Sequence, residues 1–201
     1  KLLVSDQAGR ANVLAALDRI GIKVAKDDPR VGRLLDLVKG FEAEGYAYES
    51  ADASFELLAR SVFANVPDYF DVVHFEVNVA QQRNAAGHRV TISKAMVKVR
   101  IDHETITSEA EGDGPVNALD RALRKDLGKY QNYIQGLKLI DYRVRILNSG
   151  TDAVTRVLIE SRDETGESWT TIGVSLNIID ASFQALMDSI IYKLVKSGAP
   201  A

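Results

Sequence analysis

The chain has 201 residues, 46% hydrophobic and 26% charged, with 14 Gly, 4 Pro and no Cys. Such values match ordinary globular proteins and exclude a collagen-like, low-complexity or highly charged disordered chain, and this length holds about one to two domains. A net charge of −3 offers no basic field for a phosphate backbone, which argues against nucleic acid as the main partner.

The absence of cysteine removes disulfides, thiolate zinc sites and a cysteine nucleophile, and fits a reducing, cytoplasmic setting. No run approaches the roughly 18 apolar residues of a membrane span, so no membrane partner is expected. Lys1-Leu2-Leu3-Val4 passes into polar Ser5-Asp6-Gln7 without the apolar stretch of a signal peptide. A start at Lys1 rather than Met is what a piece of a longer protein would show.

Residues 1–66 read as three short helices. From Asn12 to Ile20, Val13, Leu14, Leu17 and Ile20 fall on one face, and Gly21 stops the helix. A second stripe, Val31, Leu34, Leu35, Val38 and Phe41, ends near Gly45. A third begins around Ser50 and carries Ala53, Phe55, Leu58 and Val62.

Near Pro67 the period changes from 3.6 to 2. Phe75, Val77 and Val79 alternate with His74, Glu76 and Asn78, as in a strand with one buried face. After a turn at Asn84–Gly87, a second strand places Ala95, Val97, Val99 and Ile101 inward, with Lys94, Lys98 and Arg100 outward. Asp102-His103-Glu104 turns into a third strand, Thr105 to Ala110. Gly112-Asp113-Gly114-Pro115 then opens a helix with Val116, Leu119, Leu123 and Leu127 in stripe.

The same order repeats. Tyr142, Val144 and Ile146 alternate with Arg143 and Arg145; a turn at Ser149-Gly150 leads to a strand Val154–Ser161, and Glu164-Thr165-Gly166 turns into Trp169–Leu176. The last helix carries Ile179, Phe183, Leu186, Ile190 and Leu194, and Asn177 with Asp180 resembles a capping box. Thr107-Ser108 matches Thr170-Thr171, and Ala118, Ala122 and Leu123 match Ala181, Ala185 and Leu186 at one common offset. The pattern is an internal duplication. It predicts an α+β fold: a helical linker subdomain (1–66), then a domain (67–201) of two βββα units, 67–133 and 134–201, related by a pseudo-twofold axis.

Chemistry-bearing groups are sparse. His74, His88 and His103 show no metal-ligand spacing and read as surface residues, so no metal site is expected. Glu109 and Glu111 read as solvated or interface charges, and no catalytic residue is assigned. The Gly112–Val116 segment reads either as a tight strand-to-helix turn or as a site where first-turn amides and the helix dipole meet a carboxylate or phosphate.

Several segments resemble one family. Gly112-Asp-Gly-Pro-Val-Asn-Ala-Leu, Asp141-Tyr-Arg-Val-Arg-Ile and Trp169-Thr-Thr-Ile-Gly-Val-Ser-Leu-Asn-Ile-Ile-Asp-Ala-Ser are similar to the C-terminal regulatory domain of the α-isopropylmalate and citramalate synthases. Val4-Ser-Asp-Gln-Ala-Gly-Arg-Ala-Asn-Val-Leu and Gly45-Tyr-Ala-Tyr-Glu-Ser-Ala-Asp-Ala-Ser-Phe-Glu-Leu-Leu resemble the linker of that family, closer to the citramalate branch. The resemblance implies a homodimer that binds an end-product branched-chain amino acid for feedback inhibition, isoleucine in the citramalate branch or leucine in the isopropylmalate branch.

It also implies a separate N-terminal barrel, using a divalent metal and acetyl-CoA, so that this chain has no cofactor and no synthase activity of its own. Carried over by position, the effector contacts are Gly112, Gly114, Val116, Asn117, Leu139, Tyr142, Ile146, Val157 and Asn177. Val116, Leu139, Ile146 and Val157 read equally as core. A dimerisation module without effector binding is the alternative.

Overall fold

A computed structural model of the chain describes residues 6–148, 150 and 153–201. Among these residues lie six α-helices and two three-stranded sheets, so the α+β reading with a helical N-terminal part holds. Lys1, Leu2, Leu3, Val4, Ser5 and Ser149, used in the sequence reading, lie outside the described residues.

The chain forms two compact units. One comprises residues 1–66, 139–161 and 168–192, the other residues 67–138, 162–167 and 193–201. In the first, helices α1 (Asp6–Arg19), α2 (Pro29–Glu44) and α3 (Asp52–Phe63) bury Val13, Leu17, Val31, Leu34 and Ala59 in one cluster, with Phe55, Leu58 and Val62 packed against it. Asp28 starts α2 by accepting the Arg30 N–H at 2.9 Å, and Pro29 fills a first-turn position where no N–H is needed. Gly45 ends α2 at φ 116, a left-handed conformation that a side chain resists. Its absent side chain also makes room, because a Cβ there would run into Leu147.

The same unit holds nearly all of the sheet β4 (Lys138–Ile146), β5 (Thr155–Arg162), β6 (Ser168–Ser175), in that order, and helix α6 (Ile178–Lys196) up to residue 192. Thr155, Val157, Ile159 and Ser161 of β5 are buried at every second position, as one pleated face requires. That face meets α6: Trp169 Nε1 donates to Ser189 Oγ at 3.3 Å, and Ser189 donates to Ser161 Oγ at 2.6 Å.

In the second unit the sheet order is β1 (Asp71–Arg83), β2 (Arg89–Ile101), β3 (Glu104–Gly112), antiparallel throughout. Ala95, Val97, Val99 and Ile101 are buried, as the alternation predicts, while Lys94, Lys98 and Arg100 are exposed. Val79 departs from its inward reading. It pairs with Ser93 on the same face but is exposed, because the β1–β2 hairpin runs beyond the end of β3, whose pairing starts at Ser93. Helix α4 (Pro115–Lys125) covers the inward face with Ala118, Leu119, Ala122 and Leu123 buried.

Besides a 3₁₀ turn at Tyr48–Ser50, two short elements in the second unit are absent from the sequence reading: a 3₁₀ turn, Gly128–Tyr130, and α5 (Gln131–Ile134). Polar side chains hold them to the end of α4. Gln131 accepts the Leu127 N–H at 2.8 Å and donates to the Arg124 carbonyl at 3.0 Å, and Arg124 pairs with buried Asp120 and the Leu137 carbonyl.

The duplication is visible in burial. Ser108 and Thr171, Ala118 and Ala181, Ala122 and Ala185, and Leu123 and Leu186 are all buried, each within its own unit. Small residues at those helix positions let each helix lie close on its sheet.

Candidate functional site

At the β3–α4 junction, Gly112 is obligatory by space. A Cβ there would collide with the backbone of Ala118 and lie 2.7 Å from Asn117 Oδ1. Asn117 uses that oxygen to accept the Asp113 N–H at 3.2 Å, which holds the turn shut. Gly114 precedes the helix in extended conformation, with open space where its Cβ would be. Its carbonyl accepts the first helical bond, from Ala118 N–H at 2.9 Å. No side chain caps α4, and no acidic residue occupies its first turn. The positive end of the helix dipole at Val116 and Asn117 is therefore uncompensated from within the helix, which suits a carboxylate.

The other predicted contacts lie in the first unit. Tyr142 is half-buried, and its hydroxyl is 2.9 Å from Ser182 Oγ. Ser182 donates its own proton to the Ile178 carbonyl at 2.6 Å, so Tyr142 is the donor of the pair and ties β4 to α6. By strand alternation Ile146 shares Tyr142's face and Leu139 lies on the opposite one, so these three do not converge. Val157 is wholly enclosed in the core. Asn177 is exposed and caps α6, its Oδ1 accepting from Ile179 N–H at 2.8 Å and Asp180 N–H at 3.4 Å. The reciprocal half of the box is replaced: Asn177 N–H donates to Ser175 Oγ at 3.1 Å, and Asp180 accepts from Gln184.

Beside the predicted Ile146, the structure adds Ile140, Val144, Leu176 and Ile178, which the sequence reading does not assign to the site. Ile140, Val144 and Ile146 share one face of β4 and are exposed, Ile146 by 66%. Leu176, 67% exposed, and Ile178 are exposed where β6 passes into α6. Alternation marks these β4 positions as apolar, but only the tertiary structure shows them uncovered. Two nearby basic groups are committed: Arg143 pairs with Asp141 at 3.0 Å, and Arg156 donates to the Gly45 carbonyl at 2.5 Å. Burial, and then the like charge of Arg145, push the Arg156 guanidinium below its ordinary value.

His74, His88 and His103 are all exposed, and Glu111 pairs with Lys94 at 2.8 Å on the sheet surface. Among the described residues no group of three or more His, Asp or Glu side chains is placed to hold a metal ion, and no helix is long and apolar enough to cross a membrane.

Residues 49–194 match the family described as the LeuA allosteric (dimerisation) domain. The chain is 44% identical, over 98% of its length, to an (R)-citramalate synthase of Aquifex aeolicus. It is 45% identical, over its whole length, to an (R)-citramalate synthase of Streptomyces coelicolor. To a 2-isopropylmalate synthase of Methanocaldococcus jannaschii the identity is 29% over 94% of the chain. It spans only 37%, 38% and 34% of those three proteins. With a family match that takes in both sheets, α3, α4 and most of α6, the chain belongs to the LeuA allosteric (dimerisation) domain family, on its citramalate synthase-like side.

Proposed function

We propose that this chain is the regulatory region of a citramalate synthase-like acyltransferase, that it dimerises with a second copy, and that it binds isoleucine as a feedback effector. Residues 1–66 act as the linker and 67–201 as the regulatory domain. Acetyl-CoA condensation with a 2-oxo acid, and the divalent metal it uses, belong to a separate barrel in the cytoplasmic parent protein, so the chain alone turns nothing over.

The observation that carries this reading is the uncovered apolar face of β4, Ile140, Val144 and Ile146, with exposed Leu176 and Ile178 in the same unit. Aliphatic surface of this kind gains about 1.5–3 kcal/mol per fully buried side chain. A micromolar effector needs about 8.2 kcal/mol, so its charged ends must supply much of the rest. Within the second unit, taken by itself, the uncapped start of α4 offers amides to a carboxylate. A dimerisation module without effector is favoured by the state of two predicted contacts: Val157 is enclosed in the core, and the Asn177 side-chain oxygen is already taken by the Ile179 N–H.

Thermal melts against isoleucine, leucine and valine test the reading, with sedimentation to follow assembly. Isoleucine at about 100 times its Kd adds ~2.7 kcal/mol, a rise of several degrees. Ile146→Glu is expected to shift the dimer toward monomer with little loss of monomer stability. Selectivity for leucine would move the chain to the isopropylmalate branch. No shift with any of the three, together with an intact dimer, leaves the dimerisation module.

A further inference from the structure

Along helix α6, Asp180, Gln184, Asp188 and Tyr192 recur every four positions and so form one row on a single face. Gln184 Oε1 accepts the Tyr46 hydroxyl at 2.9 Å and the Val174 N–H at 3.1 Å, and its amide donates to Asp180 at 3.3 Å. One turn on, Asp188 accepts the Ser54 hydroxyl at 2.6 Å, and the same Ser54 oxygen accepts the Ile172 N–H at 3.0 Å. A further turn on, the Tyr192 hydroxyl donates to Glu56 at 3.1 Å. Tyr46, Ser54 and Glu56 all come from the segment between α2 and the middle of α3. Three successive turns of α6 therefore each hold that segment by a side chain.

The duplication shows that a sheet of this kind can close its edge in another way. At the common offset of the repeat, Arg121 and Lys125 of α4 correspond to Gln184 and Asp188, and Glu111 and Glu109 of β3 correspond to Val174 and Ile172. In the second unit, Arg121 and Lys125 donate straight to the Glu111 and Glu109 carbonyls at 3.1 and 2.7 Å, joining helix to edge strand directly. In the first unit the same two helix positions carry acceptors facing edge N–H groups, and hydroxyls of the linker complete the set. Ser54 sits between Asp188 and Ile172, and Tyr46 shares the Gln184 oxygen with Val174. Phe55, Leu58 and Val62 of α3 pack instead on the helical cluster, so the linker has an apolar core of its own. Hydrogen bonds of the row exchange for bonds to water at small net cost.

We propose that the α6 row is a releasable clasp, from which residues 46–56 leave the β6 edge as one piece while the sheet and α6 stay folded. The clasp is a two-state element in the attachment of the linker. It lies apart from the residues assigned to the effector and does not rest on effector binding.

Amide hydrogen exchange on the 201-residue chain tests it. Tyr46→Phe removes one bond at the Gln184 turn. It is expected to speed exchange of the Val174, Ile172 and Thr170 amides together, by about three- to tenfold, although the Ser54 and Asp52 acceptors of the last two are untouched. Ser54→Ala is expected to speed Thr170 and Val174 by a similar factor, and in both variants the Val157 and Ile159 amides of β5 keep the parent rate. Gln184→Arg with Asp188→Lys copies the second unit's pair. It is expected to leave residues 46–56 at least tenfold less protected and open to protease, again with β5 unchanged. If the paired variant does not fold, the two single variants decide the matter. Exchange that rises at Val174 alone in Tyr46→Phe, or β5 amides that speed up in step with the linker, overturns the proposal.

Discussion

Two aspartates lie at opposite electrostatic extremes. The Asp188 carboxyl faces inward and accepts the Ser54 hydroxyl at 2.6 Å; burial raises its pKa to about 6, against the partial opposition of that hydrogen bond. A raised folded value means that the fold prefers the protonated acid. The stability this group supplies is therefore full below the unfolded pKa near 3.8 and is lost as pH rises through about 6. Asp188→Asn keeps an acceptor for Ser54 and removes the charge. It should melt higher than the parent chain at pH 7, by up to about 3 kcal/mol, with the gain gone by about pH 4.

Asp163 behaves in the opposite way. Burial alone would raise it, but the Thr165 hydroxyl at 2.6 Å, the Thr165 and Glu167 amides at 2.9 and 3.1 Å, and buried Lys193 at 3.4 Å bring it down to about 2. Its stabilisation is present above the unfolded value and is lost as pH falls toward 2. Asp163→Asn should cost about 2–3 kcal/mol at pH 7, less at pH 3, in urea titrations compared at the two pH values.

At the scale of elements, open sheet edges explain the Gly45–Ser54 segment. The free edge of β6 presents the N–H groups of Thr170, Ile172 and Val174, and each meets a side-chain acceptor: Asp52 at 2.8 Å, Ser54 at 3.0 Å and Gln184 at 3.1 Å. Tyr46 donates to the same Gln184 oxygen at 2.9 Å. The linker motif thus works as an edge cover, satisfying donors that would otherwise template pairing with another chain. In the second unit β3 is blocked with the opposite polarity, Lys125 and Arg121 donating to the Glu109 and Glu111 carbonyls at 2.7 and 3.1 Å.

The β3–α4 turn allows a sharper test. Gly112→Ala drives a Cβ into the Ala118 backbone and should cost about 1–3 kcal/mol, whereas Gly114→Ala, with open space and extended backbone, should stay within about 0.5 kcal/mol. Equal losses in chemical denaturation would show that the turn relaxes around Gly112.

For the whole molecule, the six strands, the five longer helices and the duplication were legible because periodicity and turn residues are local signals. Asn84 closes its hairpin by accepting the Ala86 and His88 amides, and Asp102 sits at φ 52 in the turn before β3, both as their residue types allow. The Gly128–Tyr130 turn and α5 were not legible, since seven residues held by Gln131 and Arg124 carry no repeating apolar stripe. Of the candidate site, the glycine junction was readable, because a glycine pair before Pro115 announces close backbone approach. The fates of Val157, Leu139 and Ile146 were not: all three are apolar strand residues, yet one is enclosed, one lies on the opposite face and one is mostly exposed.

By itself the sequence determined which face of each element is apolar, where the chain turns, and that one βββα pattern occurs twice. Tertiary structure alone decided what covers each face. Helix α3 illustrates the reason: Phe55, Leu58 and Val62 pack on the helical cluster, while Asp52 and Ser54 reach strand residues 118 positions away. Periodicity reports a residue's neighbours within a few positions along the chain. A cover supplied from more than a hundred positions away leaves no trace in that local pattern, so the exposure of β4 and the closure of β6 appear only once the chain is folded.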